Sequence, residues 1–122
     1  MANILYPKGK EHLLNGDIDL LTDTVMACLV DTALYTYAAA HEFLSSISEI
    51  GSPVVDARVG TDQELTGKST TNGVFDAGDA TFPSVSGATI ENIVLYVEVG
   101  SPATQYLLAR LDTATGLPAP PS

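Results

Sequence analysis

The sequence predicts a mainly β fold, an antiparallel β-sandwich or flattened barrel of short strands with one or two short helices. Residues 88–100 (ATIENIVLYVEVG) carry apolar side chains at every odd position from 93 to 99, as expected for a strand whose successive side chains point to opposite faces. Residues 104–111 (TQYLLARL) follow a Ser-Pro-Ala turn and predict an antiparallel return strand. Short apolar runs separated by turn residues fill positions 53–87.

The strand at 88–100 is the predicted centre of the fold. Its odd positions predict the core face, whereas Asn92 and Glu98 place the even positions on a half-polar face. In the return strand, simple alternation predicts two faces: Leu107, Ala109 and Leu111 on one, and Tyr106, Leu108 and Arg110 on the other.

A third strand is predicted at residues 24–31 (TVMACLVD), where an almost unbroken apolar run is typical of burial on both faces. Cys28, the only cysteine, lies inside this run, so we expect a buried and unreactive thiol rather than a nucleophile. A single cysteine also excludes an intramolecular disulfide.

Two helices are predicted. The first covers residues 8–14, begins after Pro7, ends at Gly16 and docks through Leu13 and Leu14. The second covers residues 38–47, where Ala40, Phe43, Leu44 and Ile47 form one apolar stripe and Thr36 caps the start.

The two histidines do not predict a metal site. His41 has no second histidine four residues later, so the zinc-protease pattern is absent, and a helix-face or solvated histidine is expected. His12 lies far away in sequence and does not complete a site.

Residues 17–87 contain several turns. Residues 17–23 predict a strand start or a connecting turn, Val54, Val55 and Val59 predict one strand, and residues 62–66 predict another. Asn72-Gly73 is typical of a two-residue hairpin. Asp76 and Asp79 mark a further turn, where bonding to their own backbone is favoured over binding a cation. Pro83 confines its strand to an edge or a bulge.

Composition limits the partners. A formal net charge of −10 with only five Lys and Arg residues argues against nucleic acid, whose phosphates need basic side chains. The same charge disfavours an anionic membrane surface. We expect a single domain over residues 1–116, followed by a proline-rich tail at 117–122 (LPAPPS). The N-terminus shows no leader pattern and no apolar run is long enough to span a bilayer, which predicts synthesis in the cytoplasm of the producing cell.

No catalytic pattern is recognisable. The sequence lacks a G-x-S-x-G elbow, a phosphate-binding glycine loop and Cys/His metal-ligand spacing. Ser45, Ser46 and Ser48 have no base or orienting acid nearby in sequence. We therefore expect a protein that is not an enzyme and that needs no cofactor or metal.

Four segments together resemble a family of small structural proteins of tailed bacteriophages. They are YPKGKEHLLNGDIDLLTDTVMACLVDTALYTYAAAHEFLSSI, TNGVFDAGDATFPSVSG, ENIVLYV and LLARLDTATGLP. The resemblance covers nearly the whole chain, and its specificity lies in the order of these segments rather than in any catalytic motif. Some members of this family are capsid decoration (cement) proteins.

The resemblance implies a virion protein on the capsid surface, with the major capsid protein as partner and a homo-oligomer, favoured as a trimer, as the assembled form. The alternative is an adhesion or ligand-binding module on a tail or fibre. Residue chemistry suggests the contacts: Lys8 and Lys10 form the only concentrated basic spot, while Pro83, Leu117 and Pro118 could protect a strand edge or reach a partner.

Overall fold

The computed structural model describes residues 4–73, 77, 92–98, 100 and 104–111. These residues form a mainly β fold with two short helices, which confirms the predicted class. One helix follows the first strand and the other is a single turn. The elements, in chain order, are β1 (Ile4–Leu5), α1 (Pro7–Asn15), β2 (Val25–Val30), α2 (Ser45–Ser48), β3 (Arg58–Glu64), β4 (Asn92–Val97) and β5 (Tyr106–Leu111).

The strands form one five-stranded sheet in the order β1-β5-β4-β2-β3, with every neighbouring pair antiparallel. β4 occupies the middle position, so the predicted central strand is confirmed, as is its antiparallel pairing with β5. Because the described strands belong to one sheet, the second sheet of a sandwich stays a prediction.

Both faces of the sheet carry a hydrophobic core. The first core contains Tyr6, Cys28, Val30, Tyr35, Leu44, Ile47, Ala57, Val94, Tyr96 and Leu107. The second core contains Ile18, Val25, Ala27, Leu65, Val97 and Leu108. Alternate residues of β2 and β4 belong to different cores, as the two-residue period of a strand requires. β2 is therefore buried on both faces, as its apolar run predicts.

The prediction that β4 has one core face and one half-polar face is wrong, because both faces pack against a core. At the even positions Asn92, Val94 and Tyr96 are all buried. At the odd positions Val97 is buried in the second core, and Ile93 and Leu95 are partly buried against it. The even face is covered because the segment between β2 and β3 folds over it and supplies much of the first core. Nothing in the alternation within β4 could reveal that cover.

A bulge in β5 changes which of its residues share a face. Leu95 pairs with Ala109 and Tyr96 pairs with Leu107, so Leu108 is the extra residue on β5. Arg110 therefore lies opposite Val94, on the side of the first core. The predicted grouping of Leu108 with Arg110 is wrong for this reason.

Helix α1 begins at Pro7 and is closed by Gly16, whose φ of 82° lies in the left-handed region. Gly9 packs directly on β5, since a Cβ added there would lie 2.5 Å from the Leu107 carbonyl oxygen. Leu13 packs against the second core, but Leu14 is 88% exposed. The predicted helix is confirmed, and its predicted docking through Leu14 is wrong.

The predicted helix over residues 38–47 is wrong. Only Ser45–Ser48 is helical, and Phe43 forms an antiparallel bridge with Tyr106 instead. Leu44 and Ile47 are nevertheless fully buried. The apolar stripe reflects burial under this segment, while backbone pairing with β5 determines its conformation.

The two strands predicted at 54–59 and 62–66 are one strand, β3, which begins at Arg58. Val55 instead bridges to Ile50 across a short turn and is exposed. Residues 17–23 form a turn rather than a strand. Asn72 adopts a positive φ of 56°, as expected for a turn residue, but the strand predicted after it lies outside the described residues, as do Asp76, Asp79, Pro83 and the tail.

Two leucines provide a test of this core. Leu107 is fully buried in the first core and Leu14 is 88% exposed. We expect Leu107→Ala to lower the free energy of unfolding by about 2–5 kcal/mol, because it leaves a cavity. Leu14→Ala should change it by about 0.5 kcal/mol or less. Urea denaturation of the two variants measures both values, and equal losses would contradict the assignment of the core.

Candidate functional site

The structure locates two of the five predicted partner contacts. Lys8 and Lys10 both lie on α1, where Lys10 is exposed and the Lys8 Nζ is 3.6 Å from Glu11 Oε2. Pro83, Leu117 and Pro118 lie outside the described residues. The basic spot is therefore a feature of the outer surface of α1, with part of its charge compensated within the helix.

An open cleft of about 560 Å³ lies beside β3 and β4. Met26, Arg58, Asp62, Tyr96, Glu98 and Gln105 are among its lining residues. Tyr96 belongs to the first core and also lines this cleft.

A charged network lies in this cleft. The Arg58 Nη1 donates to Asp62 Oδ2 at 2.7 Å, and Nη2 donates to Asp56 Oδ2 at 3.0 Å. The Tyr96 hydroxyl donates to the same Asp62 oxygen. Burial, followed by this hydrogen bond to a carboxylate, raises the pKa of Tyr96. Glu98 also lines the cleft, so three carboxylates and one guanidinium line it together, and the cleft is acidic.

Chemically, this arrangement can bind cationic or hydrogen-bond-donating groups. The sequence does not predict this network, because it predicts two separate strands where the structure has the single strand β3. Arg58 and Asp62 meet across a stretch of β3 where its pairing with β2 shifts register and Gly60 has a positive φ, so simple alternation along the sequence does not predict the network.

A second polar network lies inside the first core. The hydroxyls of Tyr6 and Tyr35 are 2.8 Å apart, and the Tyr35 hydroxyl is 2.8 Å from His41 Nδ1. Tyr6 is fully buried and Tyr35 is 3% exposed. Burial lowers the pKa of His41, which favours the neutral imidazole, whose Nδ1 accepts a hydrogen bond from the Tyr35 hydroxyl. His41 is thus half-buried and hydrogen-bonded, not the solvated or helix-face residue that was predicted.

His12 is held between two carboxylates. Its Nδ1 is 2.8 Å from Asp17 Oδ2, and its Nε2 is 2.8 Å from Glu42 Oε2. The ring also stacks on Tyr106, with centroids 3.9 Å apart. Burial alone would lower the pKa of His12, but the hydrogen bonds to both carboxylates outweigh it and raise that pKa. Glu42 is 30 residues from His12 in sequence, so no local spacing could predict this contact.

Among the described residues, no group of three or more His, Cys, Asp and Glu side chains is arranged to hold a metal ion. No helix in that part of the chain has the length and hydropathy to cross a bilayer. Comparisons with models of known protein families, with curated proteins and with solved structures found no match for this chain.

The tyrosines provide a test of the polar networks. Burial raises the pKa of Tyr6 and Tyr96 above the usual 10.0 and that of Tyr35 to about 12. At pH 10.5 these three phenols should stay protonated in the native protein. Tyr96→Phe should therefore leave the native phenolate absorbance at 295 nm unchanged. In urea the same variant should lose one of the five tyrosine contributions.

The raised pKa values of these tyrosines also make the stability of the fold depend on pH. A raised phenol pKa stabilises the fold fully below about pH 10, and this contribution is lost as the pH rises further. Tyr96 ionisation in the native protein at pH 10.5 would contradict its burial against Asp62.

Cys28 is fully buried, as predicted, and burial raises the pKa of its thiol. Because the thiolate is the reactive form, we expect a thiol reagent at pH 8 to label native protein far more slowly than protein unfolded in urea. Comparable labelling rates in the two states would show that the first core opens readily at β2.

Proposed function

We propose that this protein is a structural component of a tailed-bacteriophage virion that binds and stabilises the assembled capsid shell. The observation that carries the proposal is the ordered resemblance of four segments, covering nearly the whole chain, to small phage structural proteins. In this reading the protein is not an enzyme, needs no cofactor and has the major capsid protein as its partner.

The outer surface of α1 is the proposed capsid contact. Lys10 and Leu14 are both exposed, and residues four apart lie on the same side of a helix. Leu14 is 88% exposed, the largest exposure among the described large hydrophobic side chains. The chain has a net charge of −10, so a cationic group beside an exposed leucine makes this surface chemically different from the rest of an acidic protein. This difference supports the assignment of the capsid contact to α1.

Each copy needs only a small contact. When several subunits are engaged together, avidity converts modest contacts into tight attachment. We propose that the protein assembles as a homo-oligomer, with a trimer favoured because capsid shells offer local threefold positions. The β3 edge carries Arg58, Asp62 and Glu64, and charged residues discourage edge-to-edge pairing. This supports assembly through other surfaces.

The acidic cleft favours a second candidate, an adhesion or ligand-binding module on a tail or fibre. A cleft of about 560 Å³ is within the usual size of small-ligand sites. Under this alternative, attachment to the virion would not depend on shell assembly, and Asp62 and Arg58 would matter more than α1.

The test is binding of purified protein to expanded, undecorated shells, measured by sedimentation and copy counting. We expect saturation at a number consistent with the shell symmetry and a higher melting temperature of the shells. Leu14→Ser should weaken binding about tenfold or more, because burial of a leucine side chain is worth about 1.5–3 kcal/mol. Lys10→Gln should weaken it by about twofold to fivefold and reduce its salt sensitivity.

Leu34→Ser is the matched control, because Leu34 is 47% exposed and lies in the turn after β2. It should bind like the unaltered protein. Attachment only to tails, or no binding to shells at any stage of maturation, would refute the proposal. Equal losses in the two leucine variants would refute the assignment of the contact to α1.

A further inference from the structure

The outer edge of β5 is covered by two separate segments. β1 pairs with its C-terminal half, where Leu5 lies opposite Ala109 and the Tyr6 amide donates to the Leu108 carbonyl oxygen at 3.0 Å. Residues 42–44 pair with its N-terminal half. The Leu107 amide donates to the Glu42 carbonyl oxygen at 2.9 Å, and the Leu44 amide donates to the Gln105 carbonyl oxygen at 2.8 Å. Both pairings are short.

His12 joins these two segments. It lies on α1, which follows β1 directly, and its Nε2 contacts the side chain of Glu42 at 2.8 Å. Its Nδ1 contacts Asp17 at 2.8 Å, just beyond the end of α1. The ring stacks on Tyr106 at the start of β5. One imidazole therefore connects both covering segments and the strand that they cover.

Only the protonated ring satisfies this geometry. A carboxylate accepts hydrogen bonds, and the two ring nitrogens both donate only in the imidazolium form. In the neutral ring one nitrogen carries a lone pair, which would face a carboxylate oxygen 2.8 Å away. One of the two contacts must then break.

We propose that His12 is a pH-dependent clamp that holds the cover over the β5 edge when protonated and loosens it when the proton is lost. This inference does not depend on the proposed function. The clamp is an intramolecular device, and its effect is to regulate how readily residues 42–44 separate from β5.

The neighbouring titratable groups do not produce the same response. Asp17, Glu42 and Tyr106 are the groups against the His12 ring, and Lys8 and Glu11 lie one turn or less away on α1. His41, next to Glu42, has a lowered pKa because it is buried. Its contribution is therefore lost as the pH falls below about 6.5, which is opposite in sign to the loosening expected of His12.

The experiment combines two measurements on the full chain between pH 6 and 9. NMR titration of the His12 ring gives its midpoint, which we expect above 6.5. Hydrogen exchange gives protection factors for the Leu44 and Leu107 amides, corrected for the intrinsic pH dependence. Protection should fall as the pH rises, by about tenfold for each unit by which the midpoint exceeds that of a free histidine.

Variants separate the clamp from general instability. Glu42→Gln should lower the His12 midpoint and reduce the pH-dependent loss of protection, while His12→Gln should abolish that loss. His41→Gln is the control and should retain it. A midpoint at or below 6.5, or a loss of protection that survives in His12→Gln, would overturn the proposal. If His12→Gln does not fold, the titration midpoint of His12 in the unaltered protein and the protection factors of Glu42→Gln still test the proposal.

Discussion

The backbone ladder between β2, β4 and β5 is the constraint on which the rest of the structure depends. β4 pairs along its whole length with β2, from Asn92 opposite Val30 to Val97 opposite Val25. Since both faces of β4 pack against a hydrophobic core, its amide and carbonyl groups need partners within the sheet. The two cores can exist on opposite faces only because the central strands satisfy one another's backbone hydrogen bonds.

Burial on both faces explains why polar residues appear in the interior with such specific partners. Arg110 is only 4% exposed, and an unpaired charge there would be costly. Its Nη1 donates to Asn92 Oδ1 at 3.0 Å, and its guanidinium lies over the Tyr37 ring at 4.8 Å. Cation–π attraction is strongest where water is excluded. The bulge at Leu108 is what places Arg110 on this side, so a backbone irregularity and a buried charge depend on each other.

Elements that depend on local sequence patterns could be predicted, whereas contacts between residues far apart in sequence could not. β2, β4, β5 and α1 could be predicted because each depends on a local pattern: an apolar run, a two-residue alternation, or a proline and a glycine at the helix ends. The 38–47 segment could not, because Phe43 pairs with Tyr106 more than 60 residues later. The same limit applies to the polar contacts. Tyr96 and Asp62, like His12 and Glu42, meet only after the sheet has formed.

The two sheet edges are protected by different physical means, and this difference bears on how the protein could engage a partner. The β3 edge carries an arginine held by Asp56 and Asp62. Burial alone would lower the pKa of Arg58, but the hydrogen bond to Asp56 and the charges of both carboxylates outweigh it and raise that pKa, so the guanidinium stays charged. That protection does not respond to pH near neutrality. The β5 edge is covered by short pairings joined through one imidazole. If His12 acts as proposed, a rise from pH 6 to 9 loosens the cover over β5 and leaves the β3 edge unchanged.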